Sequence, residues 1–148
     1  MTLQIKLKSL KEPTEDLDGL RVLIARYRPR YLPKYKENWE QWWKDLAPSK
    51  DLWKEYVKDK EIDWPEYSKR YISEIKNNPK AMQLLHTLSF FVNDHENRKN
   101  NHLQQEQEQQ HKYDLIQKHS VVTLLCHCID ENHCHRSIIK KMLFELAE

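Results

Sequence analysis

Glycine is almost absent from this sequence, because Gly19 is the only one among 148 residues. The phosphate-binding loops of dinucleotide-binding, Walker-A and kinase sites need several glycines, since their backbone must approach phosphate closely. The sequence therefore excludes a loop of this kind, and no site for NAD, ATP or S-adenosylmethionine is expected. An anion bound by this chain must be held by side chains or by the start of a helix.

Long apolar runs and a strong charge imbalance are also missing. No stretch approaches the ~20 apolar residues of a membrane span, and the start MTLQIKLKSLK lacks the apolar centre of a signal peptide. The formal net charge of +2 does not by itself call for nucleic acid. The three cysteines cannot all pair internally, and a reducing compartment would keep them as thiols. We therefore expect a soluble, cytoplasmic protein with a single domain over residues 1–148 and no membrane partner. Its oligomeric state is not predicted.

The spacing of apolar residues predicts strands and helices in alternation. Strands are predicted where Leu3, Ile5 and Leu7 alternate with polar residues, over 21–27, and over 121–128. Helices are predicted between about 35 and 78, over 79–92, and from 134 to the end. Within the first helical region, the stripe of apolar residues is Trp39, Trp42, Trp43 and Leu46, and the N-cap candidates are Ser49 and Asp63.

This alternation predicts an α/β fold: a small, mainly parallel sheet with helices packed around it, in a Rossmann-like three-layer arrangement without a glycine-rich loop. Only three strands are clear, which leaves room for a fourth, weaker one. Residues 93–120 form a polar stretch rich in Asn, Gln and His, interpreted as an insertion. Its first part is predicted to be an exposed loop and its second part a solvated helix carrying Tyr113, Leu115 and Ile116.

Four short motifs stand out along the chain. An Arg-x-x-Pro-Arg pattern follows the second strand, and LAPS occupies 46–49. The third motif consists of aromatic residues, an Arg-Tyr pair and a Glu. In the fourth motif, VTLL is followed by an Asp-Glu pair and a His. The residues are Arg26, Pro29 and Arg30; Leu46 to Ser49; Trp64, Tyr67, Arg70, Tyr71 and Glu74; and Asp130, Glu131 and His133. With these motifs the chain resembles the YeaO-like proteins, the family of domains of unknown function numbered 488.

The resemblance implies an α/β fold and leaves the function open. The chain departs from the family pattern at Ala25, where Asp is common, and at Cys134, His135 and Arg136, where Asn and Ala are usual. Some members carry a uroporphyrin methyltransferase label. The scarcity of glycine argues against that activity, and tetrapyrrole binding is the part that this chain could support.

Cysteine and histidine are concentrated between residues 126 and 135. Cys126 and Cys128 lie at the end of a predicted strand, while His133, Cys134 and His135 lie near the start of the last helix. Strand ends and helix starts meet at one edge of a parallel sheet, so these residues are predicted metal ligands, for haem or for Zn or Fe. The alternatives are that the cysteines fill the core while the histidines cap the surface, or that Cys134 is a catalytic thiol.

The segment from 20 to 36 carries six basic residues and no acidic one. Arg26, Arg30 and Tyr27, together with Arg136 on the last helix, are the predicted anion-binding residues, since guanidinium groups beside aromatic rings suit phosphate, carboxylate or haem propionates. The alternative is a solvated basic edge. The five tryptophans are interpreted as core residues rather than base-stacking platforms.

Three functions are therefore compatible with the sequence. The first is a small ligand-binding protein that holds haem or a transition metal at the Cys/His residues. The second is an enzyme acting on a phosphorylated or nucleotide-like substrate, with Cys134 as nucleophile, Asp130 or Glu131 as general acid or base, and an arginine clamp. The third is a nucleic-acid or protein interaction module that uses the basic segment. The predicted partner is a small anion or haem, and nucleic acid is the less favoured one.

Overall fold

The computed structural model describes residues 2–93, 107–127 and 133–147. In these ranges, four strands form one sheet: β1 (Gln4–Ser9), β2 (Leu20–Leu23), β3 (Gln41–Trp42) and β4 (Val121–Cys126). Their order in the sheet is β1-β4-β2-β3, and each neighbouring pair is parallel. The last strand in the sequence therefore lies between the first two. The parallel sheet with its helices confirms the predicted α/β class.

Five α-helices accompany this sheet in the described residues: α1 (Lys50–Trp53), which continues as a π-helical turn over Lys54–Lys58, α2 (Trp64–Lys76), α3 (Pro79–Val92), α4 (Gln107–Gln117) and α5 (His135–Ala147). The predicted N-caps are confirmed. The Ser49 side chain accepts a hydrogen bond from the Leu52 amide at 3.1 Å, and the Asp63 carboxylate accepts one from the Glu66 amide at 3.0 Å. Each cap satisfies an amide that has no partner within its own helix. No helix in the described part of the chain is long and apolar enough to cross a bilayer.

The main core lies between one face of the sheet and the helices. Ile5, Val22 and Leu124 lie on this face, and all five helices contribute apolar side chains to the same cluster. The opposite face carries a smaller cluster, in which Leu23 and Leu125 pack under the irregular segments that surround the sheet. Successive residues of a strand point to opposite faces, which explains how one short strand serves both clusters.

Between residues 35 and 46 the helix prediction is wrong. Gln41 and Trp42 form the edge strand β3, paired with Val22 and Leu23, and a single 3₁₀ turn (Lys44–Leu46) follows it. Trp43 packs in the main core, whereas Trp42 packs on the other face and donates its indole N–H to the Ala25 carbonyl at 2.7 Å. Neighbouring tryptophans on opposite sides of a sheet require extended chain. β3 is thus the fourth strand that the apolar pattern did not show.

One further boundary differs from the prediction. The strand predicted over 21–27 ends at Leu23, well before Pro29, although the Ile24 amide still donates to the Leu125 carbonyl. At the end of α5, Leu146 is 37% exposed, and Ala147 takes the buried position. The helix predicted in the second part of 93–120 is confirmed as α4, with Ile116 fully buried. The loop predicted for its first part falls largely on residues 94–106, outside the described ranges.

A buried ionic cluster stabilises the second face of the sheet. The Asp18 carboxylate, 1% exposed, accepts hydrogen bonds from Lys6, Lys8 and Arg21. Burial alone would raise the pKa of this carboxyl, but the hydrogen bonds from Lys6 and Lys8 outweigh it and hold the pKa well below its ordinary value. Burial likewise acts to lower the pKa of Lys8, and its bonds to Glu15 and Asp18 raise it overall. The cluster fastens the turn before β2 to the two lysines of β1.

Candidate metal and ligand site

A cavity of about 840 Å³ opens at the carboxyl end of the sheet. Its wall includes Cys126 at the end of β4, Cys134 and His135 at the start of α5, and Arg26 and Arg30 from the segment after β2. This volume falls in the range of roughly 300–1,000 Å³ that is typical of small-molecule sites. The predicted meeting of strand end, helix start and basic segment around one hollow is therefore present.

Three potential metal ligands converge at the inner wall of this cavity. The Sγ atoms of Cys126 and Cys134 and a ring nitrogen of His135 all lie within 4.8 Å of one another. His135 Nδ1 is 3.7 Å from Cys134 Sγ and 4.0 Å from Cys126 Sγ. All three residues are at most 5% exposed. We call these residues the Cys2His cluster.

The orientation of the His135 ring follows from its second nitrogen. Nε2 lies 2.7 Å from the carbonyl oxygen of Ile24, the residue after β2. A carbonyl oxygen can only accept a hydrogen bond, so Nε2 carries the proton, and in the neutral ring Nδ1 presents its lone pair toward the two sulfurs. The fold thus fixes both the ring orientation and the tautomer.

Tyr71 of α2 packs edge-on against this ring, with ring centroids 5.5 Å apart. Its hydroxyl donates to the Leu46 carbonyl, and burial raises the pKa of this phenol well above its ordinary value. Tyr71 therefore stays neutral beside the Cys2His cluster and acts as a rigid wall for His135.

Basic side chains dominate the charge of the cavity wall. Five of its residues are Lys or Arg, and none of the described lining residues is Asp or Glu. Arg28 is engaged locally, since it pairs with Glu37 and donates to the Leu32 carbonyl at 2.8 Å. Arg26 donates Nε to the Pro48 carbonyl at 2.8 Å, which fixes its guanidinium while the terminal nitrogens make no hydrogen bond to a described residue. The described part of the cavity wall is therefore electropositive.

Aromatic rings form much of the remaining wall. Tyr56 and Tyr67 stack with centroids 4.3 Å apart, and Tyr27 meets Trp53 edge-on at 4.9 Å. Such pairs hold their ring planes in fixed relative orientations. The cavity thus combines apolar ring surfaces with cationic groups.

The motif residues form one network that positions this wall. The Glu74 carboxylate of α2 accepts hydrogen bonds from the backbone amide of Ser49 (2.9 Å) and from its hydroxyl. Ser49 in turn caps α1, and the preceding Pro48 carbonyl accepts from Arg26. The LAPS segment therefore connects α2, α1 and the basic segment, and it places Lys50 and Trp53 at the cavity.

The structure does not bring every predicted residue to the Cys2His cluster. His133 lines the cavity but is exposed and packs edge-on against Trp64, and it does not belong to the converging group. Arg136 is 1% exposed and is not among the residues that line the cavity. Cys128, Asp130 and Glu131 lie outside the described residues. His135 is buried, which argues against the alternative that it caps the surface.

Several cavity residues were missed in the sequence. They are Trp53, Tyr56 and Tyr67, whose rings fit an ordinary helix or core, and Lys50 and Lys58. The two lysines are eight residues apart around α1 and its π-helical turn, a spacing that returns to one face of a helix. This signal was present, but charged residues on a helix are usually solvated, so it could not single out a site.

Comparison with known proteins identifies the family. The chain matches the family model DUF488-N3a, described as the active DUF488-N3 subclade, over residues 5–98 and 92–147. The match covers most of the chain, which therefore belongs to this family. A curated relative is the uncharacterized protein YeaO of Escherichia coli (strain K12), 29% identical over 73 residues, or 49% of this chain. The chain spans 63% of the length of that relative. No solved structure matches the chain.

Proposed function

We propose that this DUF488-N3a chain binds a transition-metal ion through its Cys2His cluster, with Zn²⁺ as the first candidate, at the inner end of a cavity that accepts a small ligand. The observation that carries the proposal is the convergence of two sulfurs and one imidazole nitrogen within 4.8 Å on the cavity wall. Three protein ligands with an open fourth position are typical of catalytic zinc sites, in which water or substrate completes the tetrahedron.

The distances within the cluster support this donor set. Bonds of about 2.3 Å to sulfur and about 2.0 Å to nitrogen place these two ligand atoms roughly 3.5 Å apart around tetrahedral zinc. The measured separations from His135 Nδ1 to the sulfurs, 3.7 and 4.0 Å, need only a small contraction. The bond from His135 Nε2 to the Ile24 carbonyl also fits, because metal-binding histidines usually donate their other N–H to a carbonyl or carboxylate.

A bare ion fits the cluster better than haem does. A haem iron binds its axial protein ligand above an open macrocycle face, whereas here three donors crowd around one point. Thiolate and imidazole suit zinc and several other transition metals. The predicted reducing, cytoplasmic location would keep both thiols available for binding.

A thiol enzyme is the second candidate, because the same geometry places His135 Nδ1 within reach of a thiol. His135 would accept the proton of Cys134, with the Ile24 carbonyl fixing the ring, as a base and its orienting group do in other nucleophilic sites. The family description as an active subclade supports an enzymatic role for either candidate. The concave shape of the electropositive site favours a small ligand over nucleic acid.

The test is elemental analysis of the untagged protein, purified under reducing conditions, before and after loading with Zn²⁺ or Co²⁺. We expect about one ion per chain, and Co²⁺ should give the intense near-ultraviolet absorption of cobalt–thiolate bonds. Cys126→Ser, Cys134→Ser and His135→Asn should each bind much less metal. His86→Asn, on the exposed face of α3, is the matched control and should bind as the wild type does.

The outcomes separate the candidates. Absence of bound metal after loading, together with rapid alkylation of Cys134 that slows in His135→Asn, would replace the metal proposal with the thiol enzyme. Absence of both would reject the two candidates together. Thermal unfolding of each variant without metal shows whether loss of binding reflects loss of fold.

A further inference from the structure

We infer that the cavity selects a small phosphate monoester whose phosphate is attached to, or carried near, a planar aromatic ring. The inference rests on the proposed function only for the reacting centre at the inner end, and its evidence comes from other residues of the wall. It names the class of ligand that the metal or thiol would meet.

The charge of the wall points to a dianion. Arg26, Arg30, Lys50 and Lys58 line the cavity, and none of them forms an ion pair with a carboxylate of the described residues. Four like charges around one hollow repel one another, and a bound anion would offset this repulsion. A phosphate monoester supplies close to two charges and three acceptor oxygens, whereas a carboxylate supplies one charge and two oxygens.

The aromatic walls point to a planar group on the same ligand. Trp53, Tyr56 and Tyr67 line the cavity together with the cations. Lys50 and Lys58 are exposed, Trp53 and Tyr56 are half-buried, and Tyr67, 2% exposed, is as buried as the Cys2His cluster. Flat ring surfaces contact a flat ligand better than an aliphatic one. Guanidinium groups such as that of Arg26 also stack on aromatic planes.

The decrease in side-chain exposure from the lysines to the Cys2His cluster defines how the ligand is oriented in the cavity. Exposed cations hold the phosphate at the mouth, the half-buried rings enclose the planar group, and the buried Cys2His cluster meets the far end of the ligand. A ligand held at the mouth by its anion presents its ring, not its phosphate, to the reacting centre. The phosphate is therefore a handle for binding.

Isothermal titration calorimetry with three aromatic phosphates tests this inference: AMP, UMP and 4-nitrophenyl phosphate. Their neutral counterparts are adenosine, uridine and 4-nitrophenol, ribose 5-phosphate lacks the ring, and 4-nitrobenzoate carries a carboxylate instead. At least one phosphate should bind tenfold or more tightly than its neutral counterpart, than ribose 5-phosphate and than 4-nitrobenzoate. Added salt should weaken this binding.

Matched variants locate the binding. Arg30→Ala and Lys58→Ala should each weaken binding of the best phosphate about tenfold, the usual effect of losing one charge-assisted hydrogen bond. Lys34→Ala and Lys54→Ala, exposed residues close in sequence that do not line the cavity, should have no effect. Metal content should be unchanged in all four variants.

Three results would overturn the inference. They are a neutral counterpart that binds as tightly as its phosphate, equal binding of 4-nitrobenzoate, and no binding of any phosphate below millimolar concentration. Equal effects of cavity and control variants would do the same. Phosphate binding without metal would leave this inference standing while the proposed metal site fails, and metal binding without phosphate binding would do the reverse.

Discussion

Replacing Asp18 with Asn removes the one negative charge at the centre of the buried ionic cluster. Asp18 is 1% exposed, and Lys8 and Arg21 beside it are also buried, so the variant leaves two cations in a poorly solvated position. Removing one partner of a buried ion pair destabilises a protein by about 3–5 kcal/mol. Asn keeps the shape and one acceptor oxygen, so we expect the lower end, about 3 kcal/mol at pH 7.

Urea unfolding at several pH values measures this effect. A loss of 3 kcal/mol is a large part of the roughly 5–15 kcal/mol that stabilises an ordinary domain. It should lower the midpoint of thermal unfolding by roughly 6–12 °C at this chain length. Asp16→Asn is the matched control, because Asp16 is exposed two residues away and should change stability by less than about 0.5 kcal/mol.

The pH dependence follows from the direction of the pKa shift. The fold depresses the pKa of Asp18, so its stabilisation is fully present above the unfolded pKa and is lost as the pH falls toward the folded pKa. The gap between wild type and Asp18→Asn should therefore narrow below about pH 4, by about 1 kcal/mol between pH 5 and pH 3. The pKa of Lys8 is raised, so the stabilisation that Lys8 contributes is lost only as the pH rises above 10.5, the ordinary pKa of a lysine. A variant as stable as Asp16→Asn at pH 7, or a gap that stays constant down to pH 3, would refute the reasoning.

Three other substitutions test separate parts of the fold by thermal or urea unfolding. Gly19→Ala should destabilise by more than about 3 kcal/mol, because Gly19 has a φ of +62° and an added Cβ would lie 2.2 Å from the Val121 carbonyl oxygen; an unchanged midpoint would contradict this. Ser49→Ala should cost about 1–2 kcal/mol by removing a helix cap and a donor to Glu74, and it should also weaken ligand binding in the cavity. Tyr71→Phe should cost about 1–3 kcal/mol. Burial raises the pKa of Tyr71 well above 10, so this phenol should stay protonated below pH 11 in the folded protein. The change in tyrosine absorbance up to pH 11 should therefore be the same in the folded wild type and in Tyr71→Phe. A smaller change in the variant would count against the pKa shift.

Local signals in the sequence predicted much of the fold. Ser49 and Asp63 cap helices because each requires only neighbouring amides, and α3 occupies the predicted residues because its apolar spacing is uninterrupted. β1 and β4 are likewise close to the predicted strands. Such features depend on residues a few positions apart, so the sequence alone can specify them.

Trp42 and Trp43 show why the edge strand was missed. Their spacing with Trp39 and Leu46 fits a helix, and nothing nearby in the sequence contradicts it. What selects the extended conformation is distant: the ladder with Val22 and Leu23 and the Ala25 carbonyl that accepts the Trp42 N–H. Tertiary contacts of this kind override local propensity and leave no local trace.

The candidate site was predictable in part for the same reason. Cys126, Cys134 and His135 come together because a strand end and a helix start are separated by a short connection, which the sequence displays. Lys58 and Tyr67 reach the cavity only through the packing of α1 and α2 against the sheet, so they could not be assigned in advance. Arg136 was expected in the cavity, but its position on α5 buries it elsewhere.

The central place of β4 has a consequence for biosynthesis. Val121–Cys126 is translated long after Gln4–Ser9 and Leu20–Leu23. Until it is inserted between these two strands, their facing edges have no partner strand. A ribosome paused near residue 120 would therefore hold a chain whose two early strands have open edges and unburied apolar side chains. Nascent chains in this condition are prone to aggregation and are clients of chaperones. Production of this protein should accordingly be sensitive to the rate at which its last quarter is synthesised.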